Sequence, residues 1–216
     1  MDQFGFSRLS RAFSAICARA TTGPAATRTL EIMNTLELSS LSDCEPVWLE
    51  RPVSVVATHI SRVYHEFTRD QLPVIADLAT RVQSISGNGW NANLPGLVSL
   101  LTQLRDSVET HAWTEDDLLF PVLVAHEYPS VLETNVSAGE LLKLVETLAA
   151  EHIEIRRLID EIASVTDGFR APAGAPTEFE DLVRLAEELT QSLTEELDLE
   201  DRCLLPRARM LALAGK

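Results

Sequence analysis

Two side chains of types that bind metals in proteins stand four residues apart, at His111 and Glu115. On a helix this spacing places the imidazole and the carboxylate on one face, one turn apart. Apolar residues continue that face in both directions, at Leu97, Leu101, Leu104, Val108, Leu118 and Val122. The pair is therefore predicted to point into an apolar seam, where a carboxylate without a compensating charge is costly to bury.

Three other stretches place the same residue types on apolar helical faces. They contain His65, His152, and the pair Glu196 and Glu200. The apolar neighbours are Leu72, Ile75 and Ala79 for the first, Leu141, Val145, Leu148, Ile155 and Ile159 for the second, and Leu182, Leu185, Leu189 and Leu193 for the third. Several inward-facing His and Glu at matching depth call for a bound cation, and a pair of metal ions supplies the charge.

Part of this pattern occurs twice in the chain. The stretch from Glu115 to Pro121 recurs 85 positions later, from Glu200 to Pro206, and His111 and Glu196 have the same offset. The other two histidines on apolar faces stand 87 positions apart. Two similar helical hairpins are therefore predicted, each giving one ligand from its first helix and two from its second. The predicted metal ligands are His65, His111, Glu115, His152, Glu196 and Glu200.

The residue types also bear on the kind of metal. A mixed set of imidazoles and carboxylates suits iron, with manganese possible. No histidine has a glutamate three residues before it, which excludes the ferritin-type Glu-x-x-His site, and no H-E-x-x-H motif of a zinc protease is present. Each feature alone has a simpler interpretation, since a single core histidine is usually only hydrogen-bonded. Their combination at repeated spacing favours the metal site.

The elements that must position these residues are helices. Apolar residues recur at three- and four-residue spacing, and no stretch alternates with period two, so the chain is predicted to be all-α. The predicted helices cover residues 52–82, 95–120, 137–165 and 177–205, and the third opens with a capping-box pattern at Ser137 and Glu140. Pro121 is expected to kink or end the second helix, and the fourth helix is expected to end before Pro206. These lengths and loops predict an up-down-up-down four-helix bundle over residues 51–216, preceded by a helical segment over residues 1–50.

Composition limits the partners. The net charge is −15 and the pI is about 4.7, so the surface repels nucleic acid and anionic lipid, and neither is expected as a partner. No run approaches the length of apolar residues needed to span a membrane.

The cysteines and the first residues bear on location. Cys17, Cys44 and Cys203 are far apart and odd in number, so packing roles rather than a disulfide framework are expected, in a reducing cytoplasm. The arginines and serines of residues 1–20 resemble a transit peptide. Asp2 fits import poorly, and an amphipathic helix is the preferred interpretation.

These motifs resemble the hemerythrin-like di-iron proteins called RIC, for repair of iron centres. The matching stretches are Trp48 to Pro52, His59-Ile60 through Tyr64-His65, Arg69 to Pro73, His111 to Pro121, Glu151-His152, and Glu200 to Pro206. The resemblance implies two non-haem irons, with three histidines as terminal ligands (His65, His111 and His152) and bridging carboxylates from Glu115 and Glu200. It also implies repair of damaged iron–sulfur proteins, with nitric oxide or oxygen as a small ligand.

Two positions depart from the RIC pattern. That family has a fourth histidine where this chain has Glu196, which predicts a lower reduction potential or looser binding at that metal. The family also begins with a small domain that carries adjacent cysteines, whereas only Cys17 stands near that place here. Chemistry that needs the cysteine pair is therefore not expected.

Three hypotheses for function follow. The first is a cytoplasmic di-iron protein that repairs or protects iron–sulfur clusters under nitrosative or oxidative stress. The second is a hemerythrin-like module that binds or senses oxygen or nitric oxide without turnover. The third is a metal-free structural bundle. The ligand set serves both of the first two, so the sequence leaves enzyme activity open.

Overall fold

The computed structural model describes residues 44–85, 93–129 and 135–214, and every regular element in these ranges is a helix. Short helix α1 spans Pro46–Leu49, and α4 spans Ala138–Val165. The other three long helices each contain a π-helical segment. They are α2 (Val53–His59, π Ile60–His65, Glu66–Ser84), α3 (Leu94–Thr114, π Glu115–Leu119, Phe120–Glu127) and α5 (Thr177–Leu199, π Glu200–Leu204, Leu205–Ala214). The predicted all-α helical bundle is confirmed.

The π segments coincide with the sequence repeat. Two of them begin at the repeated glutamates, Glu115 and Glu200, and the third ends at His65. A π segment closes its backbone bonds over five residues instead of four, and such segments are frequent at functional sites. Each copy of the sequence repeat therefore begins with the same backbone feature, a π segment, as well as with the same side chain.

The two prolines after the repeats do not end their helices, so the expected helix ends at these positions are wrong. Pro121 and Pro206 each stand second in the α-helical segment that follows a π segment, and the helices continue to Glu127 and Ala214. Proline is tolerated in a first turn because the N–H that it lacks has no partner there within the segment.

The extra residue of a π segment also changes which leucine is buried. Regular α-helical spacing predicts Leu118 on the inward face, but its side chain is 43% exposed, whereas Leu119 is fully buried. The wider turn rotates everything after Glu115 by about one residue, so the inward face continues through Leu119 and Leu123, both fully buried.

The described residues of 63–111 and 150–197 form one compact unit. Segments of all four long helices pack there around a common apolar core. The largest side chains of that core include Leu72, Leu97, Leu104, Leu158, Ile162, Leu182, Leu189 and Leu193. Each fully buried leucine contributes about 2 kcal/mol, so this unit gives inward-facing polar side chains a firmly packed support.

A second compact unit contains the described residues of 44–62, 112–149 and 198–214. In it, the Glu127 carboxylate accepts hydrogen bonds from the backbone N–H groups of Val53 and Ser54, both at 3.0 Å. Those donors belong to the first turn of α2, where no carbonyl of the helix can reach them. Glu127 thus caps a helix that lies 73 or 74 residues earlier in the chain.

Replacing Glu127 by alanine is expected to lower the free energy of unfolding by about 1–2 kcal/mol, because two buried donors lose their acceptor. Urea denaturation of the metal-free protein measures this. Glu109→Ala, an exposed glutamate on the same helix, is the matched control and should change stability by less than about 0.5 kcal/mol. Equal effects of the two substitutions would show that the long-range cap contributes nothing.

In the same unit, Arg207 links helix α5 to the chain around α1. Its guanidinium donates hydrogen bonds to the backbone carbonyls of Trp48, at 3.2 Å, and Arg51, at 2.8 Å. Burial lowers the pKa of Arg207, and the negative charge of Glu127 opposes that shift.

Cys44 and Cys203 form a disulfide in this unit, with Cα atoms 5.2 Å apart. The expectation of packing roles alone is therefore wrong for these two residues. They are 159 positions apart, and nothing in the local sequence around either indicates its partner. Cys17 lies outside the described residues.

Two further expectations have different outcomes. Helix α4 has the predicted capping box, since the Glu140 carboxylate accepts from the Ser137 N–H at 2.8 Å and the Glu140 N–H donates to Ser137 Oγ. The predicted helix near the start of the chain falls in residues 1–43, outside the described ranges, so the boundary at residue 50 stays a prediction.

Across the described ranges, none of the helices has the length and apolar character to cross a membrane.

Candidate metal centre

Four of the six predicted ligands belong to the unit of residues 63–111 and 150–197, and each is at most 2% exposed. His111 and His152 form an imidazole pair from α3 and α4. Their ring centroids lie 4.8 Å apart and their planes are inclined by 70°. Two imidazoles at this distance offer adjacent nitrogen donors.

The other two ligands of this unit form a mixed pair. Glu196 Oε1 lies 2.9 Å from Nε2 of His65, and both side chains are buried. Helix α5 therefore brings a carboxylate to the imidazole that α2 presents. The departure from the RIC pattern at Glu196 is thus at the candidate site itself, rather than on the surface.

His111 also has a carboxylate partner, which sequence analysis did not single out. Its Nδ1 lies 3.0 Å from Glu151 Oε2, and the Glu151 side chain is 28% exposed. Because an ionised carboxylate only accepts hydrogen bonds, Nδ1 carries the proton and Nε2 keeps a lone pair for a metal. A carboxylate behind a histidine ligand fixes its orientation and raises its basicity. Its sequence signal was its place in the matching stretch Glu151-His152, which carried no assigned role for the glutamate.

Glu151→Gln is expected to weaken metal binding at His111 by about 10- to 100-fold while leaving the fold intact. The amide can still accept from Nδ1 but carries no charge to strengthen the imidazole donor. Titration of the metal-free protein with Co²⁺, followed by its visible absorption, measures the change. Glu146→Gln, an exposed change on the same helix, is the control. An unchanged affinity in Glu151→Gln would exclude this supporting role.

The remaining predicted ligands, Glu115 and Glu200, belong to the second unit and are fully buried. Each is the first residue of a π segment. A π segment displaces the following residues without unwinding the helix, so it can aim one side chain inward while the apolar seam continues. Two carboxylates buried in this way need positive charge nearby, since burying an isolated ion is costly.

The ligand atoms form two sets that share one residue. In each set the atoms lie within 4.8 Å of one another, and together the sets include all six predicted ligands. One set contains His111, His152 and Glu200, and the other contains His65, Glu115, Glu196 and Glu200. Imidazole nitrogens and carboxylate oxygens in groups of three and four are donor sets that fit first-row transition metals.

The chain's other two histidines are in neither set. His59 packs against Trp48 with ring centroids 4.5 Å apart, and burial lowers its pKa. His126 is half-buried within α3, and its Nδ1 lies 3.0 Å from the Val122 carbonyl oxygen.

Comparison with known proteins supports the assignment of the fold. The sequence profile of the Hemerythrin HHE cation binding domain matches residues 56–208, which contain all six candidate ligands. The chain belongs to the hemerythrin family.

Curated proteins that are similar to this chain include two from different organisms. The Iron-sulfur cluster repair protein YtfE of Edwardsiella ictaluri is 29% identical over 172 residues, which cover 80% of this hemerythrin-family chain and 73% of the relative. The protein of the same name from Escherichia coli O1:K1 is 27% identical over 183 residues, covering 83% of this chain and 76% of the relative.

Proposed function

We propose that this chain holds two iron ions, one at His111, His152 and Glu200 and the other at His65, Glu115, Glu196 and Glu200. The observation that carries the proposal is that two compact donor sets share a single buried carboxylate. A shared carboxylate suits a bridge between two metals, and the family's description as a cation-binding domain supports the same interpretation. Manganese is the alternative metal for these donors.

The charges of the ligands determine which oxidation states the site favours. Three ionised carboxylates oppose the four charges of two ferrous ions, so the pair keeps a formal charge of about +1. A histidine in place of Glu196 would leave about +2. The additional carboxylate therefore stabilises ferric iron and lowers the reduction potential of the iron held with His65.

We further propose that the protein repairs or protects iron–sulfur clusters under nitrosative or oxidative stress. The names of its relatives support this role. When bound, the two irons supply positions that take nitric oxide or oxygen and a source of the metal for damaged clusters. The chain's own residues hold that metal away from water, since all six proposed ligands are buried. The partners are then damaged iron–sulfur proteins.

The proposed location is the cytoplasm, where damaged iron–sulfur enzymes would be reached directly. Disulfides are rare in that compartment, so the Cys44–Cys203 pair provides a test. Alkylation of thiols in intact cells, followed by mass spectrometry, is expected to find this pair largely reduced. A fully bonded pair in freshly quenched cells would contradict the cytoplasmic location.

The role in repair is tested with an enzyme whose [4Fe–4S] cluster has been damaged by nitric oxide. The iron-loaded protein is expected to restore its activity, and Glu200→Ala is expected to fail. Glu195→Ala, an exposed change on the same helix, should restore activity like the wild type. Failure of the iron-loaded wild type, together with reversible binding of oxygen or nitric oxide, would instead support the binding or sensing module.

A further inference from the structure

The two histidine-containing pairs in the unit of residues 63–111 and 150–197 differ in donor type. His111 and His152 offer two nitrogens, whereas His65 and Glu196 offer one nitrogen and one carboxylate oxygen, 2.9 Å apart. All four side chains are almost completely buried, so water does not screen one pair more than the other.

The buried carboxylates increase the asymmetry. The set with the imidazole pair contains one carboxylate, the shared Glu200. The set with His65 contains three, because Glu115 and Glu196 join Glu200 there. One position is therefore rich in nitrogen and has little negative charge, and the other is rich in oxygen and strongly negative.

Donor hardness determines how well a site distinguishes manganese from iron. Mn²⁺ has the lowest affinity in the divalent series for a given site, and carboxylate oxygens suit it better than imidazoles do. The advantage of Fe²⁺ over Mn²⁺ is therefore largest at the nitrogen-rich position. It is smallest at the oxygen-rich one, where much of the attraction depends on charge that both ions carry equally.

We propose that the two positions select metals differently, with the His111–His152 position specific for iron and the His65–Glu196 position accepting manganese. This inference rests on the proposed metal pair and adds a selectivity to each half of it. We assign the selectivity chiefly to Glu196, which makes the mixed pair differ from the imidazole pair, while Glu115 adds a further carboxylate to the same set.

The test loads metal-free protein without oxygen, with Fe²⁺ in excess over the protein and Mn²⁺ in about tenfold excess over Fe²⁺, so that a position with only a small preference for iron takes manganese. Elemental mass spectrometry gives the content, and anomalous diffraction at the iron and manganese absorption edges gives the position of each metal. We expect about one iron and about one manganese per chain, with manganese beside His65 and Glu196. Two irons and almost no manganese would overturn the inference and leave the proposed iron pair standing. Equal mixtures at both positions would overturn it too, and no bound metal would overturn both proposals.

Substitution of Glu196 provides the second test. In the same competition, Glu196→His is expected to reduce the manganese bound per chain by about tenfold, with iron taking its place. Glu195→His introduces the same side chain at the adjacent exposed position and should keep the wild-type ratio. If Glu196→His keeps that ratio too, Glu196 does not set the selectivity. The diffraction experiment on the wild type does not depend on the folding of either variant.

Discussion

Replacing Glu200 by alanine is expected to remove both metals, reducing the content from about two per chain to less than about 0.5. Glu200 is the one residue common to both donor sets, and it is fully buried. Its loss leaves the nitrogen-rich set with two imidazoles and no anionic donor, and it deprives the other set of one carboxylate. No other single ligand belongs to both sets, so no other substitution is expected to have an equal effect.

A thermal shift on metal addition gives an independent readout of the same prediction. A metal that binds only the folded state stabilises it by about 2.7 kcal/mol at a hundred times its dissociation constant. Ferrous iron should therefore raise the Tm of the wild type and of Glu195→Ala, but leave that of Glu200→Ala unchanged. Two tightly held irons in Glu200→Ala would show that this carboxylate is not the shared ligand.

Opening the Cys44–Cys203 disulfide is expected to reduce the free energy of unfolding by about 3–5 kcal/mol. The bond joins residues 159 positions apart, and cross-links that close long loops restrict the unfolded chain most strongly. Cys203 lies in the π segment Glu200–Leu204, so the bond also fixes that segment to the chain just before α1.

Urea denaturation of the metal-free protein, with and without a dithiol reductant, measures this effect. Cys44→Ser should reproduce the effect of reduction, and the reductant should then change Cys44→Ser very little. Because the variant removes the same bond, the two effects should not add. An unchanged denaturation midpoint on complete reduction of the wild type would show that the bond does not stabilise the fold.

Much of the fold follows from side-chain periodicity alone. The apolar spacing predicts four long helices, and the structure has them within a few residues of the predicted starts. The capping box at Ser137 and Glu140 gave the start of α4, because it is a local pattern with a local cause. The six ligands were predicted for a similar reason, since buried His and Glu interrupt apolar stripes. The structure brings their donor atoms together, and their roles as ligands remain a prediction.

The features that sequence analysis missed depend on geometry that a regular helix does not have, or on distant partners. Leu118 was placed inward because α-helical spacing was continued through a segment that is π-helical. The helix end expected at Pro121 is absent because this proline lies in the first turn of the α-helical segment that follows the π segment. The Cys44–Cys203 bond and the Glu127 cap join residues far apart in the chain, and one sequence gives no sign of such pairings. Glu151 differs from other surface glutamates only in facing His111.

Metal content per chain tests the central proposal most directly. Protein purified without oxygen from cells given ordinary iron is analysed by elemental mass spectrometry, before and after reconstitution with ferrous iron. The two donor sets predict about two irons per chain. No bound iron, even after reconstitution, would contradict the proposed di-iron centre and with it the proposed function.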